Sequence, residues 1–110
     1  MSFKVGGHSF TGRYALYETD EIKDWPGLYA ILCRRGRRHY LVDIGESDNV
    51  KSALEDNDRE HLWYQYCTGV LVVTVYYTMD TEQSERARIE RKIRNRHRPP
   101  CRRQQRLASA

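Results

Sequence analysis

Long apolar runs are missing from this 110-residue sequence. Nothing approaches the roughly 18 consecutive apolar residues that mark a spanning helix. Met1-Ser2-Phe3-Lys4 leads straight into polar sequence, not into a signal peptide. Both absences point to a cytoplasmic chain with no membrane partner. Cysteine is scarce, at 3 residues, and Cys33, Cys67 and Cys101 hold no C-x-x-C spacing. So odd a set reads as reduced thiols in a reducing compartment. His97 and Cys101 have a ligand-like gap, but two candidates do not close a zinc site. Acidic residues are almost absent from the carboxy-terminal end. From Arg86 to Ala110 there are 10 Lys or Arg against 1 acid, a net of +9, whereas Met1 to Glu85 carries 9 against 14, a net of −5. The overall +4 therefore conceals a basic terminal helix and tail, the form expected of a phosphate-binding face or, more plainly, of a solvated helix face.

What is present suits one globular domain: 39% apolar and 31% charged residues, with no internal repeat and no linker. Ser2 to Asp24 is the least informative part. Its alternating Phe3, Val5, Phe10 and Tyr14, with turns at Gly6-Gly7 and Gly12, suggest a short strand or ribbon. Pro26 suits a strand start, because it cannot donate a ladder hydrogen bond. Gly27 to Gly45, GLYAILCRRGRRHYLVDIG, reads as a β-hairpin whose two apolar runs flank a basic, glycine-centred turn. In such an antiparallel pair Tyr29 and Asp43 can meet at one end of the sheet.

Ser47 fits an N-cap, and Val50, Ala53, Leu54 and Asn57 mark one face of a helix running to about Arg59, with Glu55 and Arg59 placed to pair on its outside. His61 to Cys67 is a second short helix or a covering loop. Its Trp63, Tyr64 and Tyr66 suit either base stacking or core. Gly69 to Tyr77, apolar on both faces, is an interior strand. Asp80 and Gln83 resemble a capping box for a last helix that Pro99-Pro100 ends. The order predicts an α+β domain, a small, largely antiparallel three-stranded sheet flanked by helices.

Three pieces of this chain together resemble the GIY-YIG nuclease superfamily. Gly27-Leu28-Tyr29 stands where the first motif lies, and Asp43-Ile44-Gly45 where the second does, with Asp43 in place of the usual tyrosine. Glu90, followed by Ile93, His97, Pro99 and Cys101, fits the pattern of the last helix. The resemblance covers about 25–102 of the single domain 1–110, leaving 102–110 as a frayed basic tail. It implies metal-dependent hydrolysis of nucleic-acid phosphodiesters, DNA rather than RNA. Glu90 would hold Mg²⁺ or Mn²⁺, and Tyr29 would relay or accept the proton of the attacking water.

The departures bear on activity. The family's helix arginine, eight residues past the motif glycine, is Ala53 here; Asn57 replaces a histidine and Arg102 an asparagine. An arginine that clamps developing phosphoryl charge is worth about 10²–10³ in rate, so the resemblance implies an impaired nuclease. Lys51 and Arg59 do not inherit the direction of position 53 on an ideal helix, and Arg86 or Arg94 are further substitutes. Asp43, a carboxylate in an apolar strand, needs a partner: a metal, the Tyr29 phenol or a hairpin arginine. Lys51, Arg86, Arg94, Arg98, Arg102 and Arg103 are the expected nucleic-acid contacts. The alternatives are a noncatalytic nucleic-acid-binding module of the same fold, and a protein-interaction module.

Overall fold

The hairpin at the centre of the sequence is also the centre of the fold. β3 (Gly27–Arg35) and β4 (Arg38–Ser47) pair antiparallel about the two-residue turn Gly36-Arg37. Gly36 takes φ +63°, the left-handed value that the first central position of a type II′ turn demands. The computed structural model describes residues 2–101. Within them β5 (Val70–Tyr77) runs antiparallel along the other edge of β3, from Gly27↔Tyr77 to Arg34↔Val70.

The expected three-stranded sheet has to be corrected, because the sheet has five strands in the order β1-β2-β5-β3-β4. β1 (Ser2–Val5) and β2 (His8–Tyr14) form a ribbon around Gly6-Gly7, and β2 pairs with the remaining edge of β5. The physical cause lies in β5. An interior strand that is apolar on both faces needs a neighbour on each edge, and β3 supplies only one. The sheet curls into a half-barrel, so that Phe3 of β1 and His39 of β4 have ring centroids 4.8 Å apart although they lie on opposite outer strands. The architecture remains α+β.

Each face has its own core. Tyr29, Ile31, Cys33, Val73 and Val75 pack with Val50 and Leu54 of α1 (Val50–Glu55) and Trp63 of α2 (Glu60–Gln65). Leu28, Ala30, Leu32, Ile44 and Val72 pack on the opposite face with Ile89 and Ile93 of α3 (Gln83–His97). The period-two alternation of β3 divides its residues between these layers.

Three local expectations are overturned. The helix predicted to reach Arg59 stops at Glu55, and Glu55 accepts the Thr19 hydroxyl instead of pairing with Arg59. α3 begins at Gln83 without a side-chain cap, and Gln83 donates to Glu46 rather than closing a box with Asp80. The end of α3 is as expected: it stops at His97, and Arg98 turns left-handed (φ 47°) immediately before the prolines. Finally, Cys33 and Cys67 are disulfide-bonded, not reduced, with Cα atoms 5.5 Å apart; Cys101 is a buried free thiol. No helix among the described residues is long and apolar enough to cross a membrane.

Candidate functional site

The site forms where β4, an outer strand, is met from both faces. β4 carries a bulge: Ile31 opposes Asp43 and Leu32 opposes Leu41, so Val42 is the extra residue. A bulge re-aims the side chains beside it. Here both Val42 and Asp43 reach the α1–α2 side, while Ile44 stays under α3. Tyr29 pairs with Gly45, and its ring lies across the glycine. A Cβ at position 45 would sit 2.3 Å from the phenol oxygen. The motif glycine is therefore a gap in β4 that the tyrosine fills. α3 contributes Glu90 and Arg94, one turn apart, around the strand edge.

A half-open cleft of about 100 Å³ results, lined by Tyr29, Asp43, Asn57, Arg59, Glu90 and Arg94 together with Ile44, Gly45 and Glu46 of β4. The expected meeting of Tyr29 with Glu90 thus occurs. Asp43, 2% exposed, is enclosed by donors. Its Oδ1 accepts from the Ile44 N–H at 2.8 Å and from Arg94 Nη2 at 2.9 Å. Its Oδ2 accepts from Trp63 Nε1 at 2.8 Å and lies 3.3 Å from Arg59 Nε. The ion partners of Asp43 are Arg59 and Arg94, not the hairpin arginines. Arg94 Nε donates to Glu90 Oε2 at 2.9 Å, Nη1 donates to the Cys101 carbonyl at 3.0 Å, and Nη2 also reaches the Ile44 carbonyl. Glu90 is 3% exposed, so this pair is buried rather than an ordinary helix-surface pair.

Arg59 is the residue that helical reasoning missed. After α1 stops, Asn57 Oδ1 accepts the Arg59 N–H at 2.6 Å, a side-chain turn that swings Arg59 inward until 7% of it is exposed. Its Nη2 donates to Cys101 Sγ at 3.1 Å, while its Nε–H, though near Asp43, is aimed at no acceptor. Burial works against the charged guanidinium, but Cys101 and Asp43 outweigh it and hold Arg59 above its ordinary pKa. Burial, then the fields of Asp43 and Glu90, pushes the Tyr29 phenol up to about 12, against the pull of Arg59 and Arg94. Tyr29 is thus a neutral phenol at any physiological pH. Burial also raises the Cys101 thiol.

The other expected residues lie elsewhere. Ala53 packs against the core around Trp63 and does not line the cleft. Lys51 is half-buried on α1 beside Asp24. Arg86, 2% exposed, is occupied within the fold by Glu46, Asp48 and the Thr81 carbonyl. Arg98 is exposed, as the cap of α3. Arg102 and Arg103 lie outside the described residues. Trp63 is core, whereas Tyr64 and Tyr66 are exposed.

Among the described residues no three His, Cys, Asp or Glu side chains cluster as a metal cage. Glu90, paired with Arg94, is the α3 carboxylate at the cleft, and a hard cation held there would need water and phosphate oxygens to complete its shell. No protein-family model, curated protein or solved structure matches the chain.

Proposed function

We propose that the cleft binds and hydrolyses a nucleic-acid phosphodiester, DNA in preference to RNA, in the manner of the GIY-YIG nucleases whose motifs the sequence resembles. One observation supports this reading above all: the Tyr29 phenol, the Asp43 and Glu90 carboxylates and the Arg59 and Arg94 guanidiniums, from four separate segments, line one small cleft. Glu90 is the residue that would hold Mg²⁺ or Mn²⁺, which when bound supplies Lewis-acid polarisation of the phosphoryl oxygen. The chain's own groups do the rest. Arg59, which lines the cleft while paired with Asp43, brings a guanidinium to the phosphoryl oxygens, the role that position 53 cannot play. Arg94 ties Glu90 to Asp43 and fixes the acid's direction. Asp43 holds both guanidiniums in place. Tyr29, with its proton held to about pH 12, donates a hydrogen bond and relays a proton rather than acting as a standing base.

On this reading Ala53 is not the defect that the motif comparison suggests, because the clamp comes from the loop after α1. The test is nicking of supercoiled plasmid with Mg²⁺ or Mn²⁺. Wild type is expected to nick, Glu90→Gln to lose about 10²-fold or more, and Ala53→Arg to gain nothing. No nicking on DNA or RNA by wild type would overturn the proposal. The noncatalytic binding module would then remain, recognised by nucleic-acid affinity that Glu90→Gln leaves untouched.

A further inference from the structure

The turn of the β3–β4 hairpin carries Arg34, Arg35, Arg37 and Arg38, and the last three are exposed. Among the described residues none of the four enters an ion pair. The acids of the hairpin and its neighbours gather at its other end, where Glu46 and Asp48 hold Arg86 and Asp24 holds the Ser52 end of α1. The turn is also braced. The Cys33–Cys67 bond ties β3 to the connection between α2 and β5, and Gly69 sits so close to Arg34 that a Cβ there would lie 2.0 Å from the Arg34 carbonyl oxygen. This brings the α2–β5 connection to the turn, with Tyr66 (41% exposed) next to Cys67 and Tyr40 (46% exposed) opposite Cys33 on β4. His39 on β4 is pushed below its ordinary pKa, by burial first and then by the positive fields of Arg13 and Arg34.

We infer that this braced, cationic turn is a second nucleic-acid contact, along which the backbone of a bound strand runs away from the cleft. The register fixes the span. From Asp43 to Arg38 is five residues of one strand, roughly 15 Å at the rise of a β-strand. That is about four to five steps of the 3.4 Å rise per nucleotide in duplex DNA. A phosphate at Arg59 and others at the turn therefore belong to one short stretch of polynucleotide. Unpaired guanidiniums beside exposed phenol rings fit phosphates and bases better than an acidic peptide, which has no planes to stack. The placement of the scissile phosphate rests on the proposed function; the affinity of the turn for nucleic acid does not.

The experiment is binding of a labelled DNA oligonucleotide to the full chain, by fluorescence anisotropy, between about 50 and 200 mM salt. The variants are Arg35→Glu/Arg37→Glu/Arg38→Glu and its neutral counterpart Arg35→Gln/Arg37→Gln/Arg38→Gln. All three positions are exposed, so thermal unfolding serves as a check on folding. The glutamate variant is expected to bind at least about tenfold more weakly, with the slope of log K against log salt reduced by about 2–3, and the glutamine variant is expected to fall between it and wild type. Hydrolysis of bis(4-nitrophenyl) phosphate, a diester small enough to occupy only the cleft, should be unchanged. DNA affinity equal to wild type in both variants would overturn the inference. Polyglutamate binding as tightly as DNA would overturn the nucleic-acid assignment. If the turn variants lose DNA while wild type never cleaves it, the surface stands and the hydrolytic reading falls.

Discussion

α3 sends two arginines against β4, and they meet different fates. Arg86 is consumed. Its Nε donates to Glu46 at 3.1 Å, Nη1 donates to the Thr81 carbonyl at 3.1 Å, and Nη2 reaches Asp48, whose carboxylate is largely exposed. Two turns further on, Arg94 joins a network in which two carboxylates and two guanidiniums cancel in formal charge yet border an open cleft with a phenol. Buried charge alone marks structure as readily as function. What separates the two networks is the cleft: Arg59 and Arg94 line it with Tyr29 and Glu90, and Arg86 does not.

The sharpest way to break this contrast is to remove the hub of the second network. Asp43→Ala strands Arg59 and Arg94 without their shared carboxylate, and a buried pair broken on one side costs about 3–5 kcal/mol. Urea unfolding should show the loss as a lower midpoint. Asp43→Asn, which keeps an acceptor for Trp63, should recover part of it.

Next in size is the disulfide. It closes a loop with a sequence separation of 34 that contains Asp43, Arg59 and Trp63 but not Arg86, Glu90 or Arg94. Reduction, or Cys33→Ser with Cys67→Ser, should cost up to about 4 kcal/mol by loop-closure entropy. The contrast is sharper still if amide exchange near α2 rises more than at the α3–β4 contact around Arg86.

Tyr29 gives a smaller, pH-dependent effect. Its folded pKa of about 12 lies above the unfolded value of 10.0. Between those values the unfolded chain loses the proton first, so stability is intact below pH 10 and falls as the pH rises towards 12. The linkage amounts to about 2–3 kcal/mol, and it should disappear in Tyr29→Phe when unfolding is followed against pH. Smallest is Arg86→Met. Asp48 returns to water, the half-buried Thr81 loses a donor to its carbonyl, and Glu46 keeps Gln83 but loses its ion partner, so the same urea assay should show about 1–2 kcal/mol.

Much of this arrangement could be read from residue patterns, and the failures have identifiable causes. The hairpin, the interior strand β5 and the approach of Tyr29 to Glu90 follow from β-branched runs, a glycine turn and motif spacing. The amino-terminal ribbon was legible as a ribbon, but which sheet edge it joins depends on β5's second free edge, a tertiary matter. Arg59 was placed on an ideal helix, so its rotation from position 53 pointed it away. The signal that contradicts this was present in Asp56-Asn57-Asp58, a cluster that favours side-chain turns over helix. Asp43 clearly needed a partner. The particular partners were hidden, because Arg59 and Trp63 reach it only after the helix breaks. Cysteine spacing alone could not show that Cys33 and Cys67 meet.

The comparison of the two arginine networks reduces to one kinetic measurement: metal-dependent nicking by Arg59→Met set beside Arg86→Met, each corrected for the fraction folded. Loss of a clamp on developing phosphoryl charge should slow Arg59→Met by about 10²–10³-fold, while Arg86→Met, folded, should nick at close to the wild-type rate. Equal rates in the two variants would contradict the assignment of Arg59 to the phosphate and, with it, the distinction between a network that holds the fold and one that serves a site.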